Sequence, residues 1–214
     1  ALLARSQSGQ GQEVKASLLA TALTIANGAL IEQSMLAPNR TATLNRSQTQ
    51  GPSDAYQTQD GWIIVQCIGQ PLFKRWTVLM GETHWLEDSR FVDDEARGIH
   101  GELLSERMAR WCAERSTEQA LRLLEDARIP AGPVLSPQQA LDDAHIQATK
   151  FLTSLAFPGS TDDVPVAETP FSLSVTPARV RSRAPALGEH TNVILEELGF
   201  SGSAINELRD RGVV

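Results

Sequence analysis

Four histidines, His84, His100, His145 and His190, are the side chains best suited to proton transfer or metal ligation near neutral pH, and no two of them share a helical turn. That spacing argues against a metal centre, and no metal-binding residue is assigned. His190 draws most interest, because it sits between Gly188-Glu189 and a predicted N-cap at Thr191 where a side chain can reach a neighbouring surface. The commoner fate of such a histidine is a hydrogen bond to its own loop. Cys67 and Cys112 lie in apolar runs without C-x-x-C or Cys/His ligand spacing, so buried free thiols are expected, as suits a reducing cytoplasm. Asp88, Asp93, Asp94 and Glu95 crowd one loop but lack the spacing of a calcium loop, and they read as a solvated, helix-capping face. Arg179, Arg181 and Arg183 alternate, placing three guanidiniums on one side of an extended segment, either as a phosphate cradle or, more commonly, as a charged strand edge. Gly9-x-Gly11 is weak as a phosphate loop and ordinary as a turn. No nucleophile elbow, P-loop or dinucleotide fingerprint is present. Residue types alone name no reaction.

The elements that would position these groups follow from composition and periodicity. The chain has 214 residues, 41% hydrophobic, with a formal charge of −7, enough for one domain or two small ones. Its scattered Lys and Arg argue against a nucleic-acid partner. Ala16–Ile31 carries no charge, yet is too polar and too short for a bilayer, so it predicts a buried helix and no membrane span. The remaining elements each have one apolar face of their own to hide, so the packing partner of that helix is expected outside these residues or in another subunit. Ala1–Arg5 reads as the last turn of a helix entered midway, the alternative being a genuine N-terminal helix after Met removal.

Residues 37–53 form a polar loop, a long connector or an active-site loop. Asp60-Gly61 predicts a hairpin between strands at 55–58 and 62–68, the second so apolar that both of its faces are expected to be covered. A helix follows to Gly81, with Leu72, Phe73, Trp76 and Leu79 inward. Leu104, Met108, Trp111 and Cys112 make an apolar stripe. Ser116 with Gln119, and Ser136 with Pro137 and Gln139, open two further helices on either side of an extended Ile129–Val134. Strands are expected at 151–157, 164–166 and 171–175, then a helix ended by Gly199 and a last helix over 203–211.

Five segments in series resemble the C-terminal half of class III CoA-transferases, the group of formyl-CoA and carnitine CoA-transferases and alpha-methylacyl-CoA racemases. They are Gly9-x-Gly11-Gln12-x-Val14-x-x-Ser17-Leu18-Leu19; Tyr56-x-Thr58-x-Asp60-Gly61-Trp62; Asp88-x-Arg90-Phe91 with Arg97; Ile129–Val134; and Ala184-Pro185-x-Leu187-Gly188-Glu189-His190-Thr191 with Leu195-x-x-Leu198-Gly199. The resemblance implies an α/β fold, a Rossmann-like large domain and a small α+β domain, with two subunits interlocked as rings. On that pattern 1–36 is a large-domain segment, 37–55 a linker or lid loop, 56–150 the small domain, 151–185 a return linker with strands, and 186–214 large-domain helices.

The resemblance also implies an aspartate nucleophile, carrying first an acyl anhydride and then a CoA thioester, and places it ahead of Gly9, so no catalytic residue is assigned in this chain. CoA thioester and a small carboxylic acid are expected as substrates, with no permanently bound cofactor. Gln48, Gln50 and Gly51 are the substrate-binding candidates, in the region where formyl-CoA transferases carry a glycine run. Here one glycine remains in Asn45–Pro52, which puts oxalate specificity in doubt. Racemases place a proton-transferring glutamate where this chain has Gly69, which favours a transferase. A non-catalytic partner subunit of the same fold is the other alternative.

Overall fold

A computed structural model describes residues 1–214, and the chain falls into two units, Ala1–Val134 and Leu135–Val214. Helices and antiparallel sheets are mixed, as the α/β expectation requires.

The first unit begins with α1 (Leu2–Ser8), closed by Gly9 in the left-handed region. The uncharged stretch then makes two helices rather than one, α2 (Leu18–Ile25) and α3 (Asn27–Leu36). The break has local causes. Asn27 and Gly28 are poor helix formers, and the Thr21 and Thr24 hydroxyls bond back to the carbonyls of Ser17 and Ala20, which bends a helix. Neither helix has a buried residue; Leu18 is 93% and Ile25 83% exposed. The expected buried helix is therefore not buried by any part of this chain.

The hairpin forms as β1 (Ser53–Gln57) and β2 (Trp62–Gln66), paired antiparallel with Tyr56 opposite Ile63, and β3 (Ala131–Pro133) adds to the other side of β2. Ile63 and Val65 are fully buried, whereas Trp62 and Ile64 are 47% and 49% exposed. The apolar run of β2 thus has only one covered face, contrary to expectation. Helices stand on a single side of this antiparallel sheet, so the pleat sends alternate side chains to the core and to the open.

The core is built by α4 (Gln70–Met80), α5 (Asp94–Ile99), α6 (Gly101–Ala113) and α7 (Thr117–Asp126). Phe73, Trp76, Leu104, Met108 and Leu124 are fully buried, each worth roughly 1.5–3 kcal/mol by apolar burial. Trp76 stacks between Phe73 (5.8 Å) and Trp85 (5.7 Å), and its indole N–H points to Met108 Sδ at 3.3 Å. Ser116 and Gln119 form the predicted capping box of α7. Asp88 and Asp93 cap short helical segments, as the acidic loop predicts.

In the second unit, α8 (Pro137–Asp142) starts on the Ser136–Gln139 capping box and α9 (Ala144–Thr149) on Asp143. A hairpin follows, β4 (Leu152–Leu155) with β5 (Val164–Ala167), then α10 (Thr191–Glu197) and α11 (Gly202–Asp210). The strand expected over 171–175 does not form. Alternation supplies a face but no partner, and a strand needs a neighbour for its backbone groups.

Candidate functional site

The loop between Ala37 and Pro52 packs on α5 and α6 at Gly98, Gly101 and Leu104, and borders the open face of the three-stranded sheet at Asn45. Its entry turn is fixed to α3 twice: Gln33 and Asn39 exchange hydrogen bonds at 3.0 Å, and the Arg40 guanidinium grips both Glu32 oxygens at 2.9 and 2.7 Å. The hydrogen-bonded guanidinium holds the Glu32 carboxyl below its ordinary value. Arg40 also donates to the Gln48 carbonyl at 2.8 Å. Farther on, Ser47 N–H donates to the Ser53 carbonyl at 2.8 Å, tying the loop to the start of β1.

The three substrate-binding candidates lie in this loop with different surroundings. Gln48 spends its amide nitrogen on the Thr41 carbonyl (2.6 Å) and the Thr43 hydroxyl (3.2 Å). Gly51 is buried, and a Cβ there would come within 2.9 Å of Leu104 Cδ1 and 3.1 Å of the Arg97 carbonyl oxygen, so it is a close-packing glycine. Gln50 is half-buried; its side-chain oxygen accepts from Thr49 Oγ1 at 3.4 Å, and its amide nitrogen has no hydrogen bond. Of the three, only Gln50 keeps free side-chain donors.

Beside the loop, a depression of about 370 Å³ is bounded by Asn45, Ser53, Asp54, Ala55, Ile64, Gln66 and Val134. A second, of about 310 Å³, shares Ile64 and Gln66 and runs on to Pro130–Pro133. Together they make an open surface, apolar at Ile64 and Pro130–Pro133 and polar at Asn45, Asp54 and Gln66, suited to an extended ligand. A larger depression of about 460 Å³, between Leu121 and Pro133, includes no loop residue.

Beneath the loop lies a buried charge cluster. Arg97, 1% exposed, donates to Gln70 Oε1 (2.8 Å), the Phe91 carbonyl (2.8 Å) and Asp94 (2.7 Å), and lies over the Phe73 ring at 4.6 Å. Asp94 in turn accepts the Gly69 N–H on both oxygens at 3.0 Å.

The other chemistry-bearing residues stay apart. His84, His145 and His190 are exposed, and the His190 side chain makes no bond to its own loop; His190 rather than the expected Thr191 is the N-cap residue of α10, with no side-chain cap bond, and Thr191 is already helical. No group of three or more His, Cys, Asp or Glu side chains is placed to hold a metal ion. Arg183 is engaged by Glu189 at 2.8 and 2.7 Å, while Arg179 and Arg181 are exposed on irregular backbone, so the predicted one-sided row of three guanidiniums does not assemble. The thiols of Cys67 and Cys112 are buried and free.

Two groups escaped sequence reasoning. The Glu32–Arg40 pair spans eight residues across a non-helical turn, where no periodicity relates them. Gly98 carried a signal that was available, a glycine inside a helical pattern, which marks close backbone approach.

Residues 1–191 match the family model described as CoA-transferase family III. The chain belongs to that family. Among family III relatives, succinyl-CoA–D-citramalate CoA-transferase of Chloroflexus aurantiacus is 28% identical over 199 residues, 92% of this chain and 49% of that enzyme. The succinyl-CoA:mesaconate CoA-transferase of Haloarcula hispanica is 27% identical over 204 residues, 95% of this chain and 50% of its own length. A CAIB/BAIF family protein from Brucella suis has the same fold at a TM-score of 0.68 and 23% identity, with 92% of this chain and 50% of that one aligned. The chain spans about half the length of the curated family III relatives it matches.

Proposed function

We propose that this chain is part of a CoA-transferase that moves CoA between an acyl-CoA and a small carboxylic acid. The observation that carries the reading is the family III match over residues 1–191. The relatives named for succinyl-CoA make a dicarboxylic acid system the first substrates to try. The nucleophile of this reading is an aspartate outside the 214 residues, whose carboxylate takes the acyl group as a mixed anhydride and then carries CoA as a thioester. An anhydride is a reactive acyl donor, so one difficult exchange becomes several easier ones.

The residues of this chain contribute shelter and orientation. The open sheet face around Ile64 and Gln66 takes the extended part of the substrate, and Gln50 offers its free amide donors to the acid or the thioester oxygen. Gln48 holds the loop and does not touch substrate, and Gly51 lets the loop seat on Leu104. The unclad helices α2 and α3 are covered by the rest of the large domain and by the second subunit of an interlocked homodimer. A reducing cytoplasmic location accords with the free thiols, and no helix is long and apolar enough to cross a membrane.

The test is trapping. Full-length protein incubated with succinyl-CoA and then hydroxylamine yields a hydroxamate on one aspartate outside these residues, located by mass spectrometry; protein left unmodified across a panel of acyl-CoAs overturns the reading. A second reading, a non-catalytic partner subunit, is favoured by one relative, 27% identical over 217 residues, being named a beta subunit. It predicts that the adduct appears only on a co-purified partner.

A further inference from the structure

Helix α4 turns Phe73, Trp76, Thr77 and Met80 to the core and leaves Lys74, Arg75, Val78 and Leu79 as a second stripe beside them. Ala127, the residue that ends α7, lies against that stripe, and the five residues bound a depression of about 320 Å³ with almost wholly apolar walls. Arg75 is half-buried here, and its Nε–H is shut away from water without an acceptor. The similarly half-buried Arg107 and Arg115 are spent on Glu82, the Met80 carbonyl and the Trp111 carbonyl. A cationic N–H buried without an acceptor is costly, so a carboxylate laid on this guanidinium gains more than one on a solvated arginine. Lys74, exposed beside it, adds a second positive charge. From Lys74 to Leu79 the stripe advances only about 7.5 Å along the helix. That is too little for a protein partner, whose standard patch covers about 800 Å² on each side. It is the span of a short hydrocarbon chain.

We propose that the depression between α4 and the end of α7 binds a short alkyl carboxylate, with its head on Arg75 and Lys74 and its tail along Val78 and Leu79 toward Ala127. Charge fixes the orientation. The last carbonyls of α7 and the exposed Glu125 and Asp126 disfavour an anion at the Ala127 end, whereas the two cations of α4 favour one at the other. Val78, 61% exposed, gives the tail an apolar wall that the core does not already use. The binding is reversible and non-covalent, and no part of it depends on the reaction that the whole protein performs.

The experiment photolyses full-length protein with an octanoate that carries a diazirine at the end of its tail, and maps the adducts by mass spectrometry. Adducts are expected on Val78, Leu79 or Ala127, where the tail lies. Octanoate competes for them, and octanol, the same chain without the charge, competes at least about tenfold less well, the factor that one charge-assisted hydrogen bond supplies. Arg75→Met, which keeps a stem and removes the head, and Val78→Glu, which sets a like charge in the depression, each lower the labelling there by about tenfold. Labelling at any other site is the internal control and stays unchanged. No adduct on Val78, Leu79 or Ala127 overturns the site. Equal competition by octanol, or full labelling of Arg75→Met, overturns the role of the guanidinium. Acetylation of Lys74 by acetic anhydride in the native full-length protein is also expected; a Lys74 that resists it means that polypeptide outside these residues covers the depression, and the proposal falls. Should Arg75→Met fail to fold, Val78→Glu, at an exposed position, gives the same readout. Transfer activity, present or absent, moves none of these results.

Discussion

Gln48 and Gly98 occupy what would otherwise be one side chain's space: a Cβ on residue 98 would lie 2.6 Å from the carbonyl carbon of Gln48 and 2.8 Å from the amide nitrogen of Thr49. Both neighbours are backbone, so neither can swing aside. Gly98→Ala is therefore expected to cost about 1–3 kcal/mol by overpacking, although alanine is the better helix former. Urea denaturation of the full-length protein measures the loss, and an unchanged midpoint would refute it.

Arg97 is the charge whose loss the first unit should tolerate least. Arg97→Ala strands the Phe91 carbonyl and Gln70, leaves Asp94 without its partner, and opens a gap over Phe73. A loss of about 1–3 kcal/mol is expected, the range for stranding buried hydrogen-bonding groups, because Asp94, a third exposed, keeps water and the Gly69 N–H. Asp94→Asn destabilises in the same direction but by less, since Asn still offers an oxygen to Gly69 and to the guanidinium. Equal midpoints for wild type and Arg97→Ala in thermal melts would refute this.

Neither thiol should react while the protein is folded. Burial pushes both Cys67 and Cys112 up to about 12, so almost no thiolate exists at pH 8, and both sulfurs are out of reach of reagent. Iodoacetamide is expected to label neither thiol natively at pH 8 and both in denaturant. Fast native labelling of Cys67 would mean that the sheet opens locally.

Acid should loosen the turn before α10 in a defined window. The Arg183 guanidinium, helped by the Ala186 N–H, holds Glu189 at about 2, below its ordinary value of 4.5. A carboxylate depressed in the folded state contributes fully above 4.5 and loses that contribution as the pH falls through the folded value. Carbon-detected NMR titration should find Glu189 still ionised at pH 3.5, and Arg183→Gln should return its midpoint toward 4.5. An unshifted Glu189 in wild type defeats the prediction.

What could be read from the sequence was what is local. The Ser116–Gln119 and Ser136–Gln139 boxes and the Asp60-Gly61 turn are fixed within three or four residues, and each formed as expected. Asp60 shows where that legibility stops: its carboxylate also accepts the Thr117 N–H at 2.7 Å and hydroxyl at 2.8 Å, a bond across 57 residues that no spacing announces. Failures share one cause, the missing neighbour. Alternation at Phe171, Leu173 and Val175 found no strand to pair with, and the apolar run of β2 could not say on how many faces helices would lie. In the loop, the resemblance to formyl-CoA transferases singled out Gln48, Gln50 and Gly51 alike. Folding separates the one whose amide is spent on Thr41 from the one whose amide is free.

The one-sided sheet has a practical corollary. Trp76 and Trp111 are buried and Trp85 is half-covered, so Trp62 is the indole that bathes in solvent and the one that acrylamide should quench first. It belongs to the same outward row as Ile64. Any ligand or polypeptide that settles on that row would dim the quenching and draw the emission to the blue, so the protein carries its own optical gauge of occupancy.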